Sequence, residues 1–195
     1  LGKMDFIFIT LKAYSIPGVV KEIAKMFNDN TAVITAYNGI PWWYFFNIGG
    51  QFNNYRFKCI DPDNIQWKLI TPERIIGCVV YPATEIIQPG VIKHLEGNRF
   101  SLGEPNGIQS ERVSIISKAL VRANLKAPIR NNIRQEIWMK LIGNLAFNPL
   151  SVITGETLEV LLSKEENKKI AYAAMQEASL IMSKLNIPLN ISIDQ

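Results

Sequence analysis

Residues 5–37 read DFIFITLKAYSIPGVVKEIAKMFNDNTAVITAY, and the change of period along this stretch decides the architecture. Residues 5–10 are a short run of aromatic and β-branched side chains, the pattern of a buried strand. Over residues 16–27 the apolar positions become Val19, Val20, Ile23, Ala24 and Phe27, one face of a helix. Pro17 suits the first turn of that helix. Residues 32–37, AVITAY, form a second buried strand that ends at Asn38-Gly39. Strand, helix and strand within about thirty residues make a βαβ unit, so the two strands are expected to run parallel.

Working outward, residues 75–81 (IIGCVVY) read as a third strand. Residues 85–103 read as two short strands around Gln88-Pro89-Gly90 and Gly97-Asn98, a hairpin or meander. Residues 110–124 form an amphipathic helix with Ser110 as N-cap, and 126–130 are a candidate last strand. From residue 132 the pattern is helical throughout: a helix over 132–148 ending near Pro149, a short one over 156–163 and a longer one over 165–186. Glu165 and Glu166 suit the positive end of that last helix. The expected fold is therefore α/β followed by all-α, with a boundary near residue 131.

The 195 residues are 48% hydrophobic and 19% charged, a composition that folds rather than one that stays disordered. No apolar run reaches the length of a membrane span, and no export signal is visible. The chain opens on Leu1 and its first strand begins within a few residues, so it is expected to be a piece of a longer protein. Cys59 and Cys78 read as reduced thiols of a cytoplasmic protein. With His94 as the only histidine, a Ser-His-Asp triad or a histidine-based metal cluster is not expected, and no metal is assigned. The net charge of +4 fits a phosphorylated cofactor or an acidic substrate, and no basic stripe interleaved with aromatics points to nucleic acid.

The stretch 137–150, IWMKLIGNLAFNPL, carries the chemistry. Its strongly polar side chains are Lys140, Asn144 and Asn148, at spacing i, i+4, i+8. They drift by only ~80° around a helix and so form one stripe. The remainder of the stretch is apolar, so the helix is expected to be buried on most sides. An unsatisfied buried amide costs about 1–3 kcal/mol, and a buried ammonium costs more. One reading is therefore a polar floor in an apolar pocket, where lost hydration lowers the lysine pKa toward a value useful in proton transfer. The other is an interhelical hydrogen-bond network or a lysine that snorkels to water. Glu136, one turn before Lys140, is a secondary candidate as its ion-pair partner.

A second cluster lies after the first two strands. Ligands of open α/β sheets bind beyond the carboxyl ends of the strands. Lys12 and Asn38 both fall there: Lys12 to meet a ribose or phosphate, Asn38 to orient a nicotinamide or a substrate group. The competing readings are a solvated lysine and a plain Asn-Gly turn. The aromatic run 41–46, PWWYFF, reads first as core packing and second as the wall of an apolar pocket. His94 reads as a surface or strand histidine.

These pieces in this order resemble the ketopantoate reductase (2-dehydropantoate 2-reductase) family. The resemblance rests on DFIFITLKAYS at 5–15, YNG at 37–39, EIIQPGVIKH at 85–94 and NNIRQEIWMKLIGNLAFNPLSVITG at 131–155. It implies that residues 1–131 are the second half of a Rossmann-like cofactor-binding domain and 132–195 the start of a helical domain for substrate and dimerisation. It implies NADPH-dependent reduction of a 2-oxo acid, ketopantoate to pantoate, on the way to coenzyme A. Lys140 then corresponds to the catalytic lysine, Asn144 and Asn148 to substrate-binding asparagines, Asn38 to the asparagine near nicotinamide and substrate, and Lys12 to a lysine near the cofactor. A homodimer is left open. The family's G-x-G-x-x-G turn, and a serine and an acidic residue from later helices, have no counterpart in these residues. The aromatic run after Asn38-Gly39 is also richer than the family pattern. Two rival readings stand beside this one: a non-catalytic fragment or binding module, and a related hydroxyacid dehydrogenase acting on another 2-oxo acid.

Overall fold

The computed structural model describes residues 2–188; Leu1 and residues 189–195, the end of the expected helical region, lie outside the described residues. The chain divides into two compact units, Leu1–Ile133 and Arg134–Gln195. The first holds a mixed sheet with helices, and the second holds helices.

In the first unit β1 (Met4–Ile9), β2 (Phe27–Ala36) and β3 (Ile75–Val80) are parallel neighbours, and β6 (Phe100–Gly103) adds antiparallel to β3. The expected βαβ unit is present, with α1 (Ile16–Ala24) as its crossover and Pro17 in the first turn. Ile16, Val20 and Ile23 are its buried stripe. The helix stops short of the expected residue 27. Phe27 instead begins β2, because Met4 N–H donates to the Met26 carbonyl and draws this segment alongside β1.

Residues 85–103 contain the expected hairpin and, after Gly97-Asn98, a further strand that leaves it. β4 (Ala83–Gln88) and β5 (Val91–Glu96) form an exposed two-stranded hairpin about Pro89-Gly90. Gly97 (φ +72°) then turns the chain back to the main sheet, where Tyr81 N–H donates to the Arg99 carbonyl and β6 begins. Tertiary pairing with β3, not the local turn, claims this last strand. Residues 126–130 do not form a full strand. They run beside β6 through two isolated bridges, Arg99 with Lys126 and Leu102 with Ile129.

One sheet face buries Ala32, Ile34, Ala36, Ile76, Cys78 and Leu102 against Val113 and Ile116 of α3 (Glu111–Arg122). Ser110 caps this helix as expected, its Oγ accepting from Val113 N–H at 3.2 Å. The same hydroxyl donates to Glu104, which lies just past β6 and is 4% exposed. The Glu104 carboxylate also accepts from Arg112 Nε at 2.8 Å and Nη2 at 2.6 Å, and Nη2 reaches the Ile75 carbonyl at 3.2 Å. This network joins the starts of β3 and α3 to the end of β6.

The second unit contains α4 (Ile133–Thr154, whose first residue belongs to the first unit), a short helix α5 (Leu158–Ser163) and α6 (Glu165–Lys184). The expected stop near Pro149 is not observed, and α4 continues through the proline for another turn. A proline here removes one backbone bond and crowds the preceding turn. Leu150, the next residue, is buried against Ala146, Leu161 and Ala171, and this packing offsets the cost, while Val152 and Ile153 beyond it stay exposed. Gly155 (φ +69°) ends the helix, its N–H donating to the Ser151 carbonyl at 2.9 Å.

Replacing Glu104 by Ala removes a buried carboxylate and leaves the partly exposed Arg112 guanidinium without its partner. Because Arg112 is one-third exposed, the loss is expected at the low end for such pairs, about 2–4 kcal/mol. The urea-unfolding midpoint should fall accordingly.

Candidate active site

Parallel strands carry their carboxyl ends to one edge of the sheet. Ile9 of β1 is in register with Thr35 of β2, so the segments after both strands emerge side by side. Lys12 and Asn38 thus lie on neighbouring strand ends at the same edge, and both are exposed. Lys12 precedes a single turn of 3-10 helix, Ala13–Ser15. Gly39 follows Asn38 with φ +91°, and the space where a side chain would sit is open. An exposed ammonium and bare backbone after adjacent strands are features that suit a phosphate-bearing dinucleotide.

Beneath this edge sits a buried polar layer that the sequence reading missed. The Asp61 carboxylate is 2% exposed and accepts from the backbone N–H groups of Gln66 at 2.8 Å and Trp67 at 3.0 Å, capping α2 (Ile65–Leu69). The signal was available in Asp61-Pro62-Asp63, an acidic residue before a proline and a short helix. The Tyr37 hydroxyl, one residue before Asn38, is buried without a hydrogen-bond partner. Burial, and secondly the Asp61 charge, push its pKa above the ordinary tyrosine value.

The aromatic run is core. Trp42, Trp43, Tyr44 and Phe45 are all buried, and Phe45 is the hub of a ring cluster with Tyr44, Phe52, Tyr55 and Phe57. His94 is an exposed residue of β5 whose Nε2 contacts the Gly97 carbonyl. Cys59 is exposed, Cys78 is buried in β3, and both are free thiols.

In the second unit, Lys140, Asn144 and Asn148 lie on one helix, α4, in the stripe that their spacing predicted. Lys140 and Asn144 are half-buried and Asn148 is exposed. The expectation of a helix buried on most sides is met in part: within 137–150 the exposed residues are Leu145, Asn148 and Pro149. Ile137, Trp138, Ile142, Ala146 and Leu150 are buried, whereas Leu145, Val152 and Ile153 are exposed. Glu136 is half-buried one turn before Lys140. Among the described residues there is no group of three or more His, Cys, Asp or Glu that could hold a metal, and no helix is long and apolar enough to cross a membrane.

Comparison with known proteins adds sequence and fold relatives. Residues 132–195 match the family model described as ketopantoate reductase PanE/ApbA C terminal, and residues 1–42 match that described as ketopantoate reductase PanE/ApbA. A 2-dehydropantoate 2-reductase of Mesorhizobium japonicum is 45% identical over all 195 residues, which cover 60% of that protein. A ketopantoate reductase-type protein from Ralstonia solanacearum MolK2 superposes with a TM-score of 0.93 at 34% identity, over 98% of this chain and 59% of that one. D-mandelate dehydrogenase with NADH and anilino(oxo)acetate shares the fold at 19% identity, with a TM-score of 0.78 over 96% of this chain and 54% of its own. The chain thus spans about 60% of the length of the first two relatives.

The Tyr37 hydroxyl yields a pH prediction. A phenol whose folded pKa is raised stays protonated when folded and ionises when unfolded, so the unfolded chain binds fewer protons above pH ~10. Its contribution to stability is complete below that pH and is lost as pH rises from there toward the folded value. Tyr37→Phe should therefore flatten the alkaline fall in stability and be neutral or stabilising at pH 7, read from denaturant midpoints between pH 7 and 11.

Proposed function

Because this chain belongs to the ketopantoate reductase family, we propose that the protein reduces a 2-oxo acid with NADPH, converting 2-dehydropantoate (ketopantoate) to pantoate in the route to coenzyme A. In this reading the sheet unit is the second half of a Rossmann-like cofactor-binding domain, and α4 to α6 begin a helical domain. A cytoplasmic location and a homodimer belong to the same proposal. The observation that carries it is the Lys140, Asn144, Asn148 stripe, present in a chain 45% identical to a 2-dehydropantoate 2-reductase.

Lys12 and Asn38 would hold the cofactor, which when bound supplies a hydride for the 2-oxo carbon. Lys140 donates a proton to the oxygen on that carbon as negative charge develops there, and its ammonium stabilises the charge before transfer. Its half-buried position supports this role, since partial removal from water strengthens the interaction with a developing alkoxide. Asn144 and Asn148 each offer a donor and an acceptor, the pairing that a hydroxyl and a carboxylate of the substrate require. Asn38 sets the approach of substrate to cofactor.

In the full-length protein, Lys140→Ala should lower turnover of ketopantoate by about 10²- to 10⁴-fold while circular dichroism and melting stay near those of the parent. Unchanged turnover would overturn the proposal. Lys12→Ala should instead raise the KM for NADPH by roughly tenfold with little change in kcat, as expected for loss of one charge-assisted contact to the cofactor. Measuring kcat/KM for ketopantoate beside other 2-oxo acids identifies the acid itself.

A further inference from the structure

Two adjacent tryptophans follow the Asn38-Gly39 turn, and they are engaged differently. Trp42 lies edge-on to Trp67, ring centroids 5.9 Å apart, and its indole nitrogen has no hydrogen-bond partner. Trp43 turns back to the strand the chain has just left. Its Nε1–H donates to Thr35 Oγ1 at 3.0 Å, and both side chains are buried. Thr35 lies three residues before Asn38 and Trp43 five residues after it, so this one bond closes the whole segment into a loop with Asn38 exposed in it.

The indole has a second anchor. Gly77 of β3 pairs with Thr35 of β2. A Cβ built on Gly77 would meet Trp43 Cη2 at 2.8 Å and Cζ2 at 3.0 Å, closer than a side chain tolerates. The ring therefore lies directly on the β3 backbone while its nitrogen is held by β2. Buried packing and a buried hydrogen bond together define one position for the indole.

We infer that Trp43 is a positioning residue for Asn38, acting through this clasp on Thr35 and Gly77; the inference rests on the role proposed above for Asn38. An exposed asparagine in a loop has little packing of its own, and holding a reacting geometry needs support from behind. The clasp supplies that support by joining the two ends of the loop to the same strand end. Core packing alone would require the ring but not the nitrogen.

That distinction sets the experiment, carried out on the full-length protein. Trp43→Phe keeps an aromatic ring but removes the donor and the distal atoms that reach Gly77, while Thr35→Val keeps the shape of the strand side chain and removes the acceptor alone. Each should lower kcat roughly tenfold, since small displacements of a positioning group have effects of this size, with the KM for NADPH little changed. Amide hydrogen exchange over residues 36–42 should quicken in both. The double variant leaves neither polar partner unsatisfied, so its melting temperature should rise above that of Trp43→Phe alone. Its kcat and loop exchange should not recover. On an Asn38→Ala background, Trp43→Phe should cause no further loss of kcat.

Recovery of kcat together with melting temperature, or additive losses with Asn38→Ala, would show Trp43 to be core packing only and overturn the inference. If Asn38→Ala itself leaves kcat unchanged, it is the role of Asn38 that fails. Hydrogen exchange over residues 36–42 then decides the clasp on its own: faster exchange in both single variants upholds it, and unchanged exchange overturns it.

Discussion

The parallel pairing of β2 between β1 and β3 is the constraint from which the first unit follows. A strand with parallel neighbours on both sides cannot be reached by hairpins, so the chain must cross over between strands. It does so once through α1 and once through the long segment 37–74. Parallel strands also deliver their carboxyl ends to the same edge. Lys12 and Asn38, twenty-six residues apart in sequence, therefore follow adjacent strand ends. The antiparallel addition of β6 leaves that edge unchanged and closes the other flank of β3.

Two facing glycines let this sheet accept large side chains. Gly77 and Gly103 are paired across β3 and β6. A Cβ on Gly77 would meet both Trp43 and Ile133, and one on Gly103 would meet the Arg130 carbonyl at 2.6 Å and Ile133 at 2.8 Å. The missing methyl groups form a shallow seat in which Ile133 is almost fully buried. Residues 126–130, bridged along β6, deliver the chain to that seat. A glycine in a strand weakens the strand itself, and here the close approach of other groups accounts for it.

The longest segment between strands, residues 37–74, is where sequence reading reached least far. Its content is not periodic: it holds a ring cluster around Phe45, the Asp61 cap, and several non-glycine residues in left-handed conformation, among them Asn47, Asn54, Asp63, Asn64 and Thr71. Asparagine and aspartate tolerate that region, but a threonine seldom enters it, so Thr71 is under strain. Aromatic content announced that the segment would pack. It could not say that Trp43 would return to Thr35 while Trp42 would not, because the two have the same chemistry one residue apart. Similarly, Pro149 signalled a helix end by local chemistry, and the burial of Leu150 against α5 and α6 overrode it.

Local periodicity and spacing by themselves determined the βαβ unit, the helices within residues 133–184, the Ser110 cap and the single stripe of Lys140, Asn144 and Asn148. These depend on side chains within a few turns of one another, and a sequence displays such relations directly. Tertiary structure alone decided which strand β6 would join, how far β2 would extend, that α4 would pass through its proline, and that Trp43 would clasp Thr35. Each of these is a competition between a local preference and a contact distant in the chain, and its outcome is set by surface that exists only after the chain has folded.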